Sequence, residues 1–392
     1  MKAYHICHHT DEDGIAAAAV IYEYLKVINK GNRKNIKFFF YKIDYTADLN
    51  KVLPNKMPVN DEVYFVDYSF SKPSNTEFMI NLANDGIKIT WIDHHKTSEA
   101  LIYGEILESK SIYNHANIEY FIDTNYCATY LAYKYAYLKL NSDYKVDSLI
   151  FTGSGELDYV PLYIKYVDSW DTWKHNMPHT TEFNYGMSTV KHAPTNLFSN
   201  IFRFNSDNLN KLFSADENDH KMIDSYMQKF VRAAINKGIV IKEYKDFEND
   251  VFCDEHGFEC TISDHTSTAG IRNYTCFAVN RRGNSTIFGD RVGKYDIVIG
   301  FHYTGKQYVY SLYTSKADVD CEYLAKKLGS VSGLGGGGHM QAAGFQMYDR
   351  IIEDNCILHI NNKLFNKNKY SISVTDNVMD MFKNMEKVFI AK

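Results

Sequence analysis

With 392 residues, the chain is too long for one ordinary hydrophobic core, so two domains are predicted. Its composition, 45% hydrophobic and 23% charged, is typical of a globular protein. The sequence has no membrane-length apolar run and no signal-peptide pattern, which predicts a cytoplasmic protein without a membrane partner. None of the seven cysteines forms a CxxC pair, which predicts that they are reduced. The net charge of −5 disfavours long nucleic acid as a partner, whereas a short phosphorylated substrate is compatible if metal ions supply positive charge.

The first 95 residues alternate between strand and helix patterns. Short apolar stretches predict strands at 4–7, 36–43, 63–66 and 87–92, and longer Ala-rich or amphipathic stretches predict helices at 14–28 and 76–83. Near-continuous apolar strands separated by helices indicate a parallel sheet that is covered on both faces. In such sheets, ligands bind at the carboxyl ends of the strands.

The rest of the chain predicts a connector and a second α/β domain. A helix over 126–140 is followed by a strand-to-loop passage that ends in VDSWDTW, at 167–173. Polar, mostly helical sequence then continues to residue 245, and 222–234 is its clearest helix. The second domain has predicted strands at 295–303 and 308–313, a helix at 319–328 and a glycine run at 335–338. The Asn- and Lys-rich tail, 351–392, is predicted to end in a helix.

Residues with metal-ligand chemistry follow three of the predicted strands. They are His9, Asp11 and Asp13 after the first strand, Asp67 after the third, and Asp93, His94 and His95 after the fourth. Taken alone, Asp11 and Asp13 are equally well explained as caps of the following helix. A carboxylate ending an apolar strand is costly without a partner, however, and three such strand ends meeting at one sheet edge indicate a metal site.

The ligand types favour particular metals and a reaction. Carboxylates with imidazoles and no thiolate favour Mn²⁺, with Mg²⁺ as the alternative. So many anionic groups at one point require more than one dication. Two ions about 3.5–4 Å apart are the common arrangement for hydrolysis of phosphoesters. The sequence therefore predicts a two-metal phosphoesterase.

The motifs HTDEDG, VD, DHH and GGGGH resemble the landmarks of the DHH phosphoesterase superfamily, which includes RecJ exonucleases, nano-RNases and cyclic-dinucleotide phosphodiesterases. The resemblance covers roughly residues 3–345. IDHHKT, the CAT helix start, WDTW and GDRVGK are most similar to the B-type nano-RNase (oligoribonuclease B). The resemblance implies a DHH catalytic domain over 1–185, a helical connector over 186–245 and a smaller α/β DHH-associated, substrate-binding domain over 246–350.

The resemblance also implies a role for each site residue. One metal would be held by His9, Asp11 and Asp67, and the second by Asp13, Asp67, His94 and an aspartate of VDSWDTW, with Asp67 bridging the two. The WDTW context favours Asp171 as that last aspartate, whereas alignment with RecJ-like sequences favours Asp168. Both residues therefore remain candidates. Asp93 and His95, together with His94, form the catalytic triplet, in which they orient ligands or move protons.

For the second domain, the resemblance implies a substrate-gripping loop. Gly336, Gly337 and Gly338 would let backbone N–H groups approach a phosphate, and His339 would add a donor. By itself a glycine run is more often a flexible linker. The family pattern SLRT reads SLYT here, so Tyr313 replaces an arginine that grips the substrate. Arg291, or the pair at 281–282, is the candidate for compensation.

The implied activity is removal of 5′-nucleotides from RNAs of a few residues. Alternatives are a phosphodiesterase for cyclic or linear dinucleotide signals, a single-strand DNA exonuclease, and a nucleotide-binding sensor without turnover. The intact ligand set disfavours the sensor, and the GGGGH motif disfavours a pyrophosphatase or exopolyphosphatase. The sequence leaves the oligomeric state open, a homodimer included.

Overall fold

A computed structural model describes residues 1–44, 47–54, 56–70, 72–102, 115–141, 156–266 and 270–360. The chain divides into two units, Met1–Lys242 and Glu243–Lys392. Within the described part of the chain, no helix is both long and apolar enough to cross a membrane. The prediction of an α/β protein with an N-terminal parallel sheet, a helical connector and a smaller C-terminal α/β part is confirmed, and the C-terminal sheet is mixed.

The first unit is built on a five-stranded parallel sheet with the strand order β2-β1-β3-β4-β5. The four strands predicted in the first 95 residues are all present. The fifth was not predicted because a glutamate interrupts its short apolar run. The strands are β1 (Lys2–His8), β2 (Ile36–Lys42), β3 (Glu62–Val66), β4 (Lys88–Asp93) and β5 (Ile118–Ile122).

Nine α-helices begin in the described part of the first unit, and the last of them continues into the second unit. They are α1 (Glu12–Ile28), α2 (Leu49–Val52), α3 (Pro73–Asn84), α4 (Lys96–Ile102), α5 (Ala128–Asn141), α6 (Leu162–Asp171), α7 (Thr180–Met187), α8 (Ser206–Lys211) and α9 (Glu217–His256). A short π-helical segment, Leu197–Ile201, precedes α8. The segment between α7 and the second unit is therefore mostly helical, as its polar sequence predicts.

Both faces of the first sheet are buried. Along β1 and β3, alternate side chains enter two different hydrophobic clusters. Tyr4 and Tyr64 belong to the cluster that contains α1 and α5, whereas Cys7 and Phe65 belong to the one that contains α3. The buried alanines at 16–19 of α1 leave little space between that helix and its neighbours. This arrangement leaves the strand ends as the accessible part of the sheet.

The predicted strand-to-loop passage is wrong over its end, because Leu162–Asp171 form α6, whereas residues 142–155 lie outside the described residues. Tyr163, Ile164, Tyr166 and Val167 are all buried. Their spacing repeats as one stripe of a helix and not with the alternation of a strand. Aromatic and β-branched residues, which favour strands in general, here fill a helix face that packs into the core.

The contact between α7 and α9 depends on two glycines. A Cβ on Gly238 would lie 1.6 Å from the carbonyl oxygen of Glu182, and one on Gly186 would lie 1.9 Å from that of Ala234. Exchanging a helical glycine for alanine ordinarily stabilises a helix by about 1 kcal/mol. At Gly238 the two backbones would instead have to move apart.

We therefore expect Gly238→Ala to lower the stability of the first unit by about 1–3 kcal/mol, which thermal and urea unfolding will measure. Gly31→Ala is the control, because a Cβ at that position meets nothing within 4 Å. A Gly238→Ala protein as stable as the wild type would contradict the close helix contact.

The second unit contains a seven-stranded mixed sheet with the order β10-β11-β9-β8-β7-β6-β12. The pairs β7–β8 and β6–β12 are parallel, and the others are antiparallel. Its helices are α10 (Arg291–Lys294) and α11 (Cys321–Ser332). The strands are β6 (Phe258–Asp264), β7 (Arg272–Val279), β8 (Ile297–Tyr303), β9 (Tyr308–Tyr313), β10 (Gly336–His339), β11 (Ala342–Met347) and β12 (Ile357–Ile360).

The glycine run is an edge strand and not the predicted loop. Residues of β10 pair with β11, and a Cβ on Gly336 would lie 2.2 Å from the carbonyl oxygen of Ala325 in α11. Gly338 has φ of 145°, which side chains rarely adopt. Helix packing and backbone conformation thus explain two of these glycines. Nothing lies within 4 Å of a Cβ on Gly337. The helix predicted at the end of the tail lies outside the described residues.

Candidate metal centre

The carboxyl ends of β1, β3 and β4, together with the end of α6, bring eight carboxylate and imidazole side chains together in the first unit. Their ligand atoms form three groups, in each of which all atoms lie within 4.8 Å of one another. Asp67 belongs to two groups and His94 to two, so the groups are continuous. The groups are Asp67 with Asp93, His94 and His95; His9 with Asp11 and Asp67; and Asp13 with His94 and Asp171. We call these eight residues the acidic–histidine cluster.

Asp67 lies at the centre of the cluster. Its side chain is 2% exposed, and its Oδ1 and Oδ2 lie 3.4 Å from His94 Nε2 and 3.7 Å from His9 Nδ1. The backbone of Asp67 is left-handed, with φ of 55°, directly after β3. Its N–H still donates to the carbonyl of Ile92, which fixes this turn against β4. Non-glycine residues rarely adopt this conformation, and it persists where the surroundings impose it.

Burial raises the pKa of Asp67 well above its usual range, and the neighbouring carboxylates of Asp13, Asp11 and Asp171 raise it further. The pKa of Asp171 is raised well above normal for the same reasons. Buried carboxylates in such a group repel one another unless cations lie between them. Carboxylate oxygens with imidazole nitrogens are ligands that divalent Mn²⁺ or Mg²⁺ accepts. The donor set therefore fits divalent metal ions.

Asp11 is a helix cap and a member of the cluster. Its Oδ1 accepts a hydrogen bond from the N–H of Gly14 at the start of α1, and its Oδ2 lies 2.7 Å from His9 Nδ1. Burial alone would raise the pKa of Asp11, but the His9 and Gly14 contacts outweigh it and lower the pKa to about 2. The two interpretations of this residue, capping and ligand, are thus compatible.

Within the DHH triplet, Asp93 holds His95. Asp93 is fully buried; its Oδ1 lies 2.8 Å from His95 Nδ1, and its Oδ2 accepts a hydrogen bond from Ser98. Burial disfavours the charged forms of both residues, but the attraction and hydrogen bond between them outweigh burial. The pKa of Asp93 therefore falls and that of His95 rises. Burial and the neighbouring His95 lower the pKa of His94. His94 is therefore suited to bind a cation as a neutral imidazole.

Asp13 makes contacts that the sequence did not suggest. Its two carboxylate oxygens accept hydrogen bonds of 2.8 Å from the N–H groups of Ala128 and Thr129, at the start of α5. Its backbone carbonyl accepts a bond from the Thr129 hydroxyl. Asp13 Oδ2 also lies 3.7 Å from His94 Nε2. This carboxylate therefore joins the positive end of α5 to the cluster.

The two aspartates of VDSWDTW have different surroundings. Asp171 Oδ2 lies 3.2 Å from His94 Nε2, within the cluster. Asp168 Oδ1 instead accepts the N–H of Cys127, and its Oδ2 accepts a hydrogen bond from Lys174 at 2.7 Å. Burial raises the pKa of Asp168 even though these two contacts oppose the shift.

The sequence also provided no sign of a pair formed by His192 and Glu12 at the start of α1, because His192 lacks the spacing of a metal ligand. His192 Nε2 lies 3.0 Å from Glu12 Oε2, and the hydroxyl of Tyr163 donates to Glu12 Oε1. Burial opposes the charge of His192, but the contacts with Glu12 raise its pKa. Only the position of Glu12 between Asp11 and Asp13 could have suggested a link to the cluster.

The substrate residues expected in the second domain all lie in the second unit. His339 is exposed at the end of β10. The hydroxyl of Tyr313 donates to the carbonyl of Gly283 at 3.1 Å. The guanidinium of Arg291 donates to Asp250 and Asp254 and lies 5.5 Å from the centroid of the Phe277 ring. Arg291 is thus already held by two carboxylates.

Comparison with known proteins agrees with the geometry. Residues 4–153 match the DHH family, N-terminal domain. The match covers less than half of the chain. The matched residues include every member of the acidic–histidine cluster except Asp171, and this match together with the cluster supports a metal-dependent phosphoesterase. No curated protein matches the chain significantly.

The similar solved structures are remote from this protein. An uncharacterized protein from Helicobacter pylori G27 is 16% identical over 99% of both chains, with a TM-score of 0.29. A pGpG-specific phosphodiesterase, PggH from Vibrio cholerae, is 13% identical over 88% of this chain and 93% of its own, with a TM-score of 0.38. An exopolyphosphatase-related protein from Bacteroides fragilis is 12% identical over 89% and 88%, with a TM-score of 0.41. Values this low carry no information about the substrate.

Proposed function

We propose that this protein is a two-metal phosphodiesterase that hydrolyses short oligoribonucleotides to nucleoside 5′-monophosphates. The observation that carries the proposal is the sharing of Asp67 and His94 between the three groups of ligand atoms. Two neighbouring ions in such centres commonly share a carboxylate ligand, and Asp67, with one oxygen toward His9 and the other toward His94, has a suitable position.

We assign His9, Asp11 and Asp67 to one ion and Asp13, Asp67, His94 and Asp171 to the other. Mn²⁺ is the preferred metal because imidazoles accompany the carboxylates, and Mg²⁺ is the alternative. When bound, such ions supply positive charge to the phosphoryl oxygens and lower the pKa of a water molecule. The raised pKa values of Asp67 and Asp171 support a site that functions with cations present.

The residues of the DHH triplet have separate tasks in this proposal. Asp93 fixes the ring of His95 through Nδ1 and favours its charged form. The proton on His95 Nε2 is then the one that can pass to the leaving oxygen. His94 is a ligand, and its lowered pKa supports this role. Ser98 keeps Asp93 in place through the opposite carboxylate oxygen.

Short RNA is the preferred substrate, since the net charge of −5 disfavours a long polyanion. Cyclic or linear dinucleotides are the second candidate. The substrate-gripping arginine that the nano-RNase resemblance implies is replaced by Tyr313, and Arg291, the candidate for compensation, is already held by Asp250 and Asp254. A product-resolved digest of labelled two- to seven-residue RNA and DNA, alongside cyclic dinucleotides, separates these candidates. We expect mononucleotides from short RNA in Mn²⁺; preference for cyclic substrates would reject the nano-RNase proposal.

The two aspartates of VDSWDTW can be distinguished by metal content. Asp171→Asn should reduce bound Mn²⁺ from two ions to about one, because it removes a ligand oxygen near His94. Asp168→Asn should keep both ions but lower the melting temperature, because it breaks the ion pair with Lys174 and disturbs the start of α5. Metal analysis after dialysis gives the answer, and unchanged metal content in the Asp171 variant would reject its assignment as a ligand.

A further inference from the structure

Two of the three tryptophans in the chain, which flank Asp171 in sequence, form an aromatic group with His175. Trp170 and Trp173 are stacked with ring centroids 6.0 Å apart and an interplanar angle of 25°. The imidazole of His175 meets both rings at 5.6 Å and 5.4 Å. Both indoles are half-buried and His175 is exposed, so part of this group faces solvent.

The third tryptophan shows what a packing role looks like in the same unit. Trp91 is fully buried, and its indole N–H donates to the carbonyl of Tyr68 at 2.8 Å. Among the residues that the structure describes, neither Trp170 nor Trp173 has such a hydrogen bond from its indole N–H. Tryptophans that serve only the core are usually covered and bonded in the manner of Trp91.

The backbone beneath these rings is held in an unusual conformation. Trp173 and His175 have φ values of 58° and 45°, two left-handed non-glycine residues within three positions. The turn is fixed at Ser169, whose carbonyl accepts the N–H of His175 and whose hydroxyl accepts that of Met177. Backbone strain of this kind costs of the order of the energy of a hydrogen bond and clusters at functional sites. Here it keeps Trp173 stacked on Trp170.

The segment is also held on two sides, by the cluster through Asp171 and by Asp168 and Tyr126 through Lys174. Asp171 lies between the two tryptophans in sequence, and its carboxylate is 3.2 Å from His94. Lys174, next to Trp173, donates to Asp168 and places its ammonium 4.6 Å from the centre of the Tyr126 ring. The aromatic group therefore lies within one turn of a residue that we assign to a metal ion.

We propose that Trp173, backed by Trp170, is a stacking platform for a nucleobase of the substrate, beside the phosphate that reacts at the acidic–histidine cluster. The inference rests on the proposed function and specifies its substrate as a base-bearing phosphodiester. Stacking accepts any base because each has a π-face, so the platform recognises nucleotides as a class and not one sequence. Trp173 binds substrate in this assignment, and Trp170 positions it.

The test compares the full-length, Mn²⁺-loaded protein on ApA and on the same ribose–phosphate–ribose compound without bases. Trp173→Ala should raise KM for ApA about 5- to 100-fold with a smaller change in kcat, and should leave kcat/KM for the base-free compound near the wild-type value. Trp173→Phe should restore most of the ApA affinity, because phenylalanine still stacks. Tyr226→Ala, which removes another exposed aromatic ring of this unit, is the control and should change neither substrate.

A second readout does not depend on turnover. Wild-type tryptophan fluorescence should be quenched by AMP in Mn²⁺ but not by ribose 5-phosphate, and Trp173→Phe should lose most of that quenching. If Trp173→Ala lowered kcat/KM equally for ApA and for the base-free compound, or did not lower it for ApA, the stacking platform would be rejected. The proposed phosphodiesterase activity would still stand. A wild-type protein that hydrolyses neither compound would overturn the proposed function, and this inference with it.

Discussion

Replacing Asp67 with asparagine should remove metal-dependent phosphodiester hydrolysis and, at the same time, make the metal-free protein more stable. Asp67 is buried among the carboxylates of Asp13, Asp11 and Asp171, which raise its pKa in addition to burial. Asparagine keeps the shape but removes one charge from this repulsive group. We expect the free energy of unfolding in EDTA to rise by about 1–2 kcal/mol.

The effect on the metal-loaded protein should have the opposite sign. Mn²⁺ should raise the melting temperature of the wild type, since a ligand that binds only the folded state stabilises it. The Asp67→Asn protein should lose that shift, bind metal at least about 100-fold more weakly and lose activity accordingly. Activity is measured on a dinucleotide and stability by thermal unfolding, both in Mn²⁺ and in EDTA. Retention of full Mn²⁺-dependent hydrolysis would reject the shared-ligand assignment.

Asp61→Asn is the matched control for this experiment. Asp61 is another buried aspartate of the same unit, but its carboxylate accepts the N–H of Ala3 and lies 3.5 Å from His5 Nε2. Because its contacts are favourable, asparagine at this position should destabilise the metal-free protein and leave metal binding unchanged. A stabilised Asp61→Asn protein would show that the Asp67 effect does not report charge repulsion at the cluster.

Asp13→Ala should destabilise the protein strongly, even in EDTA. The substitution leaves the N–H groups of Ala128 and Thr129 buried without their acceptors at the start of α5. Each unsatisfied buried group costs about 1–3 kcal/mol, so we expect a total loss of about 2–5 kcal/mol. Urea and thermal unfolding of the metal-free protein measure the loss. Two neighbouring cluster aspartates should therefore change stability in opposite directions.

Thr129→Val provides a graded comparison for Asp13. It removes only the hydrogen bond from the threonine hydroxyl to the Asp13 carbonyl, which should cost about 1 kcal/mol and preserve metal binding. If Asp13→Ala unfolds too readily to assay, the Thr129 variant still reports on the same junction. An Asp13→Ala protein as stable in EDTA as the wild type would contradict the joining of α5 to the cluster.

The sequence predicts the cluster well where its residues follow apolar strands. The donors after β1, β3 and β4 had to lie at one edge because parallel strands have their carboxyl ends on the same side. The approach of α5 to Asp13 was not predictable, since it joins residues 115 positions apart through backbone N–H groups. Propensity also gave the wrong structure for α6, in which buried aromatic residues serve a helix.

Roles that depend on geometry were also out of reach of the sequence. Asp168 and Asp171 lie three positions apart with the same chemistry, and only their partners, Cys127 with Lys174 and His94, separate them. The glycine run was similarly ambiguous, because glycine permits both a loop that approaches a ligand and a strand that packs against a helix. The close approach of Gly336 to α11 is a tertiary contact that no local pattern contains.

The number of Mn²⁺ ions bound per chain tests the central claim most directly. Calorimetric titration of the metal-free wild type, with metal analysis after dialysis, should give two ions, and the Asp67→Asn protein should bind neither ion tightly, because Asp67 belongs to both proposed sites. A wild type that binds no Mn²⁺, or two ions held equally tightly after Asp67→Asn, would contradict the two-metal centre.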